Sequence, residues 1–154
     1  MQVLAGRVRA AIVAFVLLAL WQTAALAQTF EPLTIVSGDK RHLFSVEVAR
    51  TDADRAQGLM YRRTMAADRG MLFDFMVDAP VSMWMKNTYL PLDMLFIRSD
   101  GTIARIASDT EPLSTQTIPS GSPVRSVLEL NAGTARRLGI KSGDRVEHPM
   151  FTKR

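Results

Sequence analysis

The stretch from Gly70 to Ile97, GMLFDFMVDAPVSMWMKNTYLPLDMLFI, constrains this chain more than any other segment. It sets apolar β-formers around a close cluster of Trp84, Lys86, Asn87, Thr88 and Asp93, with Pro91 breaking the run. Short apolar runs bounded by turn residues favour strands over helices. A segment that only fills a core has no use for a lysine, an asparagine and an aspartate so near one another, because buried polar groups are costly unless each finds a partner. The run therefore predicts a β-rich core and a place where polar groups are positioned.

The flanking sequence supplies the rest of an α+β domain. Leu33–Ser37 and Leu43–Ala49 read as strands joined by Gly38-Asp39-Lys40, with Phe44, Val46 and Val48 alternating with Ser45 and Glu47. Thr51 with Asp54 three residues later is a capping-box pattern, with aspartate in place of the usual Glu or Gln, and opens a helix over Ala53–Leu59. Met71–Val77 and Val81–Lys86 read as two strands around a turn at Asp78-Ala79-Pro80. Leu92–Arg98 and Thr102–Ala107 form a hairpin around Ser99-Asp100-Gly101, since Asp-Gly supplies the positive φ of such turns. Asp109–Pro123, rich in Ser, Thr, Pro and Gly, reads as a long surface loop. Val124–Leu130 is a strand, Asn131 caps a helix over Ala132–Leu138 that Gly139 ends, and Val146 sits in a last strand. The expectation is a predominantly β fold, a small curled sheet or barrel with two short helices.

Composition narrows the function classes. Arg7 and Arg9, the apolar run Ala10–Leu20 and the small-x-small triplet Ala25-Leu26-Ala27 have the layout of a secretory signal peptide over residues 1–27. That leaves residues 28–154 as one exported domain, periplasmic or secreted, touching a membrane only through the leader before cleavage. The chain has no cysteine, which excludes thiol nucleophiles, thiolate metal ligands and disulfides. Without Arg7 and Arg9 the formal charge of +4 falls by two, and the remaining basic residues are scattered, so no nucleic-acid partner is expected.

Several ordered motifs resemble the domain-of-unknown-function 192 (DUF 192) family. They are Gln57-Gly58-Leu59-Met60 with Arg62, Gly70-Met71-Leu72-Phe73, Trp84-Met85-Lys86-Asn87-Thr88, Pro91-Leu92-Asp93, Glu129-Leu130, and Gly139-Ile140 leading to Gly143-Asp144. The resemblance spans residues 43–147 and implies a fold but no established activity. Gly139–Val146 also resembles the helix–turn–strand element of double-psi and related cradle-loop barrels, in which Asp144 accepts turn amides.

Five chemistries compete for these residues. Trp84, Lys86, Asn87, Thr88 and Asp93, with Arg62 from the preceding loop, can form a shallow pocket for a sugar, peptide or small anion, with the indole as platform. Alternatively Asn87 and Asp93 bond loop backbone around Pro91 while Lys86 pairs with Asp93. Met71, Met76, Met83, Met85 and Met94 offer thioethers for Cu(I) or Ag(I), but methionine is also a common core filler. Asp74, Asp78, Asp93 and Glu129 are candidate acid–base carboxylates; Asp78 reads as a turn residue, Asp74 faces outward, and Glu129 lies inside an apolar strand, buried against an arginine or lysine. Ser120, Ser122 and Ser142 lie outside any G-x-S-x-G elbow. Arg62, Arg63 and Arg69 can make an anion-binding rim or a solvated basic loop.

The reading favoured by the sequence is an exported non-catalytic module, with no cofactor, that binds a small polar ligand or an envelope partner through Trp84–Asp93 and Arg62. The alternatives are a periplasmic hydrolase using Asp93 or Glu129 with Lys86, and a soft-metal handler using Met83 and Met85 beside Trp84.

Overall fold

Apolar side chains alternate along the central strands so regularly that these strands contribute to a core on both of their faces. Leu72, Leu95, Ile97, Leu128 and Leu130 join one buried cluster, while Met71, Phe73, Met94, Phe96 and Val127 join another. Neighbouring residues of a strand point to opposite faces, so the two clusters lie on the two sides of one sheet. The computed structural model describes residues 29–151; the expected leader at 1–27 lies outside them.

The strands are β1 (Glu31–Ser37), β2 (Lys40–Ala49), β3 (Arg69–Met83), β4 (Leu92–Ile97), β5 (Ile103–Thr110), β6 (Ile118–Asn131) and β7 (Arg145–Glu147). They form one sheet in the order β5-β4-β6-β3-β2-β1-β7, curled into a half-barrel. Helix α1 (Asp52–Gln57) lies in the crossover between the parallel pair β2 and β3, and α2 (Thr134–Leu138) follows β6. The predominantly β architecture with two short helices thus agrees with the sequence. β4 is buried at every position, as a strand covered on both faces must be.

The sheet curls far enough for its two ends to touch. Thr102 bridges to Arg145, Ile103 N–H donates to Asp144 O (2.9 Å), and Val146 N–H donates to Gly101 O (2.8 Å). Gly101 has φ +86°, and a Cβ there would stand 2.5 Å from Val146 O, so only glycine lets the ends approach. Asp144 accepts the Lys141 N–H at 2.8 Å, the turn role its position suggested, and Gly139 ends α2 in the left-handed conformation.

Local details both support and correct the sequence reading. The Thr51–Asp54 capping box is complete: Asp54 N–H donates to Thr51 Oγ1 (3.1 Å) and Thr51 N–H to Asp54 Oδ2 (3.2 Å). The turn expected at Asp78-Ala79-Pro80 is absent, because β3 runs through it. Met76 takes φ +68° with its N–H on Asp74 Oδ1 (2.8 Å), and this irregularity absorbs the break while pairing with β6 resumes at Ala79. Pro80 then faces Pro123, so neither needs a ladder N–H. The expected strand over Val81–Lys86 ends early, at Met83. Most of the supposed loop at 109–123 is strand, β5 reaching Thr110 and β6 starting at Ile118. Asn131 belongs to β6 and donates to Met65 O (3.0 Å) and Ala66 O (3.2 Å); the residue before α2 is Gly133, in the left-handed conformation.

Candidate functional site

Where β3 ends, the chain leaves the sheet and Trp84–Leu90 crosses to β4 as a loop. Met85 anchors it, its fully buried side chain filling the second core cluster and its sulfur 3.2 Å from Thr110 Oγ1. Three backbone bonds join the loop to two others. Tyr61 N–H donates to Asn87 O (2.9 Å), Leu113 N–H to Thr88 O (3.1 Å), and Met85 N–H to Ser114 O (3.0 Å). Each loop contributes a residue with positive φ that is not glycine: Tyr61 (65°), Asn87 (55°) and Leu113 (65°). Such residues cost of order 1–3 kcal/mol each and gather at sites where the surrounding structure enforces a geometry.

The side chains carried by this junction form two aromatic and cationic groups. Lys86 Nζ lies 5.3 Å from the Trp84 ring centroid, and the Arg63 guanidinium lies 5.2 Å from that of Tyr89. Asn87 Nδ2 donates to Tyr61 Oη at 2.9 Å, and the Tyr61 and Tyr89 rings meet edge to face at 6.4 Å. Trp84 is 48% exposed, Tyr61 59%, Tyr89 40% and Leu113 55%, so the joined loops expose four large apolar side chains. Both tyrosines of the chain are here. Their rarity was a signal the sequence reading passed over, since Tyr89 sat inside the central cluster.

The sequence-predicted residues divide. Trp84, Lys86 and Asn87 reach this surface. Thr88 is buried, its hydroxyl donating to Lys86 O at 3.2 Å. Arg62 points down to the sheet, where both guanidinium nitrogens bond the Glu47 carboxylate, and Arg69 stacks on Phe30 at 3.8 Å, so of the expected rim only Arg63 joins the ladder of contacts.

Asp93 is the main correction. It is fully buried and accepts three backbone N–H groups, Asp109 (3.0 Å) and Gly133 (3.1 Å) on Oδ1 and Ala135 (2.8 Å) on Oδ2. The suggested ion pair with Lys86 is not formed among the described residues. It fastens the start of α2 to the end of β5.

Glu129 departs from its expected setting too. It is 4% exposed, sits opposite Met71 on β3 and Met94 on β4, and has no arginine or lysine partner among the described residues. Burial alone pushes its carboxyl up to about 8, so it is largely neutral at pH 7. Because Asp93 pairs with Leu130 and Glu129 with Met94, the two carboxyls point to opposite faces of the sheet. They cannot act as an acid–base pair, and neither is at the surface with Lys86. Asp74, read as outward, is buried between Met76 N–H and Arg125 Nε (3.4 Å). For soft-metal chemistry Met85 is committed to the core and to Thr110, and Met83 packs half-buried against the same cluster. Among the described residues no group of three or more His, Cys, Asp or Glu side chains converges on a metal position.

Residues 33–148 match the model of the DUF192 family, described as uncharacterised ACR. The chain belongs to this family. Its fold is similar to that of a Sinorhizobium meliloti protein assigned provisionally as a transcription regulator, with 55% identity and a TM-score of 0.76 over 77% of this chain and 92% of that one. It is also similar to a Novosphingobium aromaticivorans protein of unknown function, with 39% identity and a TM-score of 0.75 over 77% of this chain and 85% of the other. No curated protein matches the chain. The DUF192 motifs Trp84–Thr88 and Pro91–Asp93 therefore serve two ends: the first presents a surface, and the second locks the sheet to α2.

Proposed function

We propose that this DUF192 protein is an exported, non-catalytic binding module whose binding face is the loop junction carrying Tyr61, Trp84, Lys86 and Tyr89, and that its target is a small polar ligand or an envelope partner. One observation carries the reading: two exposed aromatic–cation groups, Trp84 with Lys86 and Asn87–Tyr61–Tyr89–Arg63, carried by loops that backbone bonds tie together and that include three positive-φ residues. Export rests on the leader pattern of residues 1–27. The burial of Asp93 and Glu129 weighs against hydrolysis, since a general acid or base must reach the proton it moves.

A ligand that binds the native state raises the melting temperature by mass action. Thermal-shift screening of the chain against sugars, peptides, anions and metals, with Trp84→Ala in parallel, tests the reading. A hit lost in Trp84→Ala while the variant's own melting temperature holds supports it. Hits that survive Trp84→Ala place binding elsewhere and overturn it. For the compartment, the N-terminus of protein recovered from the periplasm is expected at Gln28; retention of residues 1–27 in the cytoplasm would remove export from the proposal.

A further inference from the structure

The cations of this fold divide into several settings: some are ion-paired within the chain, some lie over rings, as Arg69 does on Phe30 and Arg105 on Phe96, and some, such as Lys40, Arg98 and Lys141, are simply exposed. Arg41, Arg50, Arg55, Arg62, Arg125 and Arg136 each lie at ion-pair distance from a carboxylate of the same chain. Lys86 and Arg63 pair with no carboxylate among the described residues, and each is held over an exposed aromatic ring. A ring face fixes a cation in place without neutralising it, so both positions keep their full charge for something outside the chain.

The same joined loops carry Tyr61, Trp84 and Tyr89 with the aliphatic Leu113, all exposed. Sites for small molecules enclose most of the ligand in a concavity, whereas protruding Trp, Tyr and Arg side chains are the composition of protein–protein hot spots. Leu113 has no use in stacking a nucleobase, and two cations on a chain of scattered charge make too few phosphate contacts for nucleic acid. An exposed leucine beside aromatic rings does suit apolar side chains of another polypeptide. Resting on the binding-module reading above and narrowing it, we infer that this face docks an acidic, apolar-bearing polypeptide segment of another protein. Its carboxylates meet Lys86 and Arg63, and its apolar side chains lie on Trp84, Tyr61 and Leu113.

The test uses the full chain and a random Glu–Tyr copolymer as probe, measured by isothermal titration calorimetry at moderate salt. Saturable binding is expected, weakening as salt rises. The double variant Lys86→Ala/Arg63→Ala is expected to lose affinity by about tenfold or more with an unchanged melting temperature, since removing interfacial charge acts on binding and not on the fold. The double variant Arg98→Ala/Lys141→Ala removes the same charge from exposed positions elsewhere and is expected to bind as the parent does. No binding of the copolymer, or equal losses in the two double variants, overturns the inference. So does Lys86- and Arg63-dependent binding of polygalacturonate or oligothymidylate that is tighter than binding of the copolymer, although the binding-module reading then stands. If no probe binds and the thermal-shift screen is also empty, both fall together.

Discussion

Replacing Glu129 by glutamine is expected to abolish an alkaline loss of stability built into the centre of the sheet. The carboxyl sits between Met71 and Met94 and titrates at about 8, against an ordinary value of 4.5. In the unfolded chain it ionises near pH 4.5; in the folded chain it holds its proton to about pH 8. Between those values the folded state binds more protons, so stability falls as pH rises, and it levels off above the folded pKa. At 1.36 kcal/mol per pKa unit the penalty is about 1 kcal/mol at pH 5, about 3 kcal/mol at pH 7 and approaches about 5 kcal/mol above pH 8. Urea denaturation of the parent and Glu129→Gln from pH 5 to pH 9 measures it. The difference between the two profiles should widen in favour of the variant by about 2 kcal/mol or more between pH 5 and pH 7. Glutamine cannot ionise, so the shape of the difference, and not its offset, is diagnostic. A difference that stays flat across this range refutes the assignment of a neutral, unpartnered carboxyl.

Three further outcomes follow from the packing. Asp93→Ala strips the acceptor from three amide donors, one buried and two part-buried, and is expected to cost about 2 kcal/mol or more in urea denaturation, while Lys86→Ala stays within about 0.5 kcal/mol; equal effects would remove the structural role given to Asp93. In Gly70→Ala the new Cβ stands 2.6 Å from Glu129 O and 2.7 Å from a Leu130 methyl, and a loss of about 1–3 kcal/mol or more is expected, with an unchanged melting temperature as the contrary result. His148 is buried, with Nδ1 accepting from Met150 N–H and Nε2 3.3 Å from Glu31 Oε2, out of line for a hydrogen bond. Burial pushes its pKa below 6.5, with Glu31 pulling against and Arg50 adding to the fall. The unfolded state therefore takes up the proton first at this site, so the His148 contribution to stability drops as pH falls below about 6.5, opposite in sign to that of Glu129. The difference between parent and His148→Gln in pH-dependent melting curves should move in the variant's favour over that range.

Local chemistry was legible in the sequence where it acts over a few residues. The Thr51–Asp54 box, the Asp100-Gly101 hairpin and the Gly139 helix stop each rest on groups within four positions of one another, and each is present. The misreadings lie where distant segments decide. Asp78-Ala79-Pro80 carries turn residues, yet β6 pairs across it and Met76 takes up the irregularity. The polar stretch after Asp109 reads as loop by composition, but the far end of β3 offers it a ladder from Ile118 onward. Asp93 looked like a surface carboxylate beside Lys86 because the amides that fill it come from residues 109, 133 and 135. The aromatic surface was half legible for the same reason. Trp84, Lys86 and Asn87 are adjacent in sequence, while Tyr61, Arg63 and Leu113 arrive only through loop-to-loop bonds.

The position of β6 carries a consequence for how the chain acquires its fold. It lies between β4 and β3, so the sheet's two halves are joined by a strand at residues 118–131, made after both of its neighbours. Until those residues emerge, β3 and β4 each present an unpaired edge and an uncovered apolar face. Non-local pairing of this kind is slow, because loop closure precedes any reward from the contact. A nascent chain stopped at residue 117 keeps its longest strand, β3, and the strand buried at every position, β4, open to aggregation or to a chaperone. Closure of this sheet thus waits on residues 118–131, and until they are made its two halves have no strand to join them.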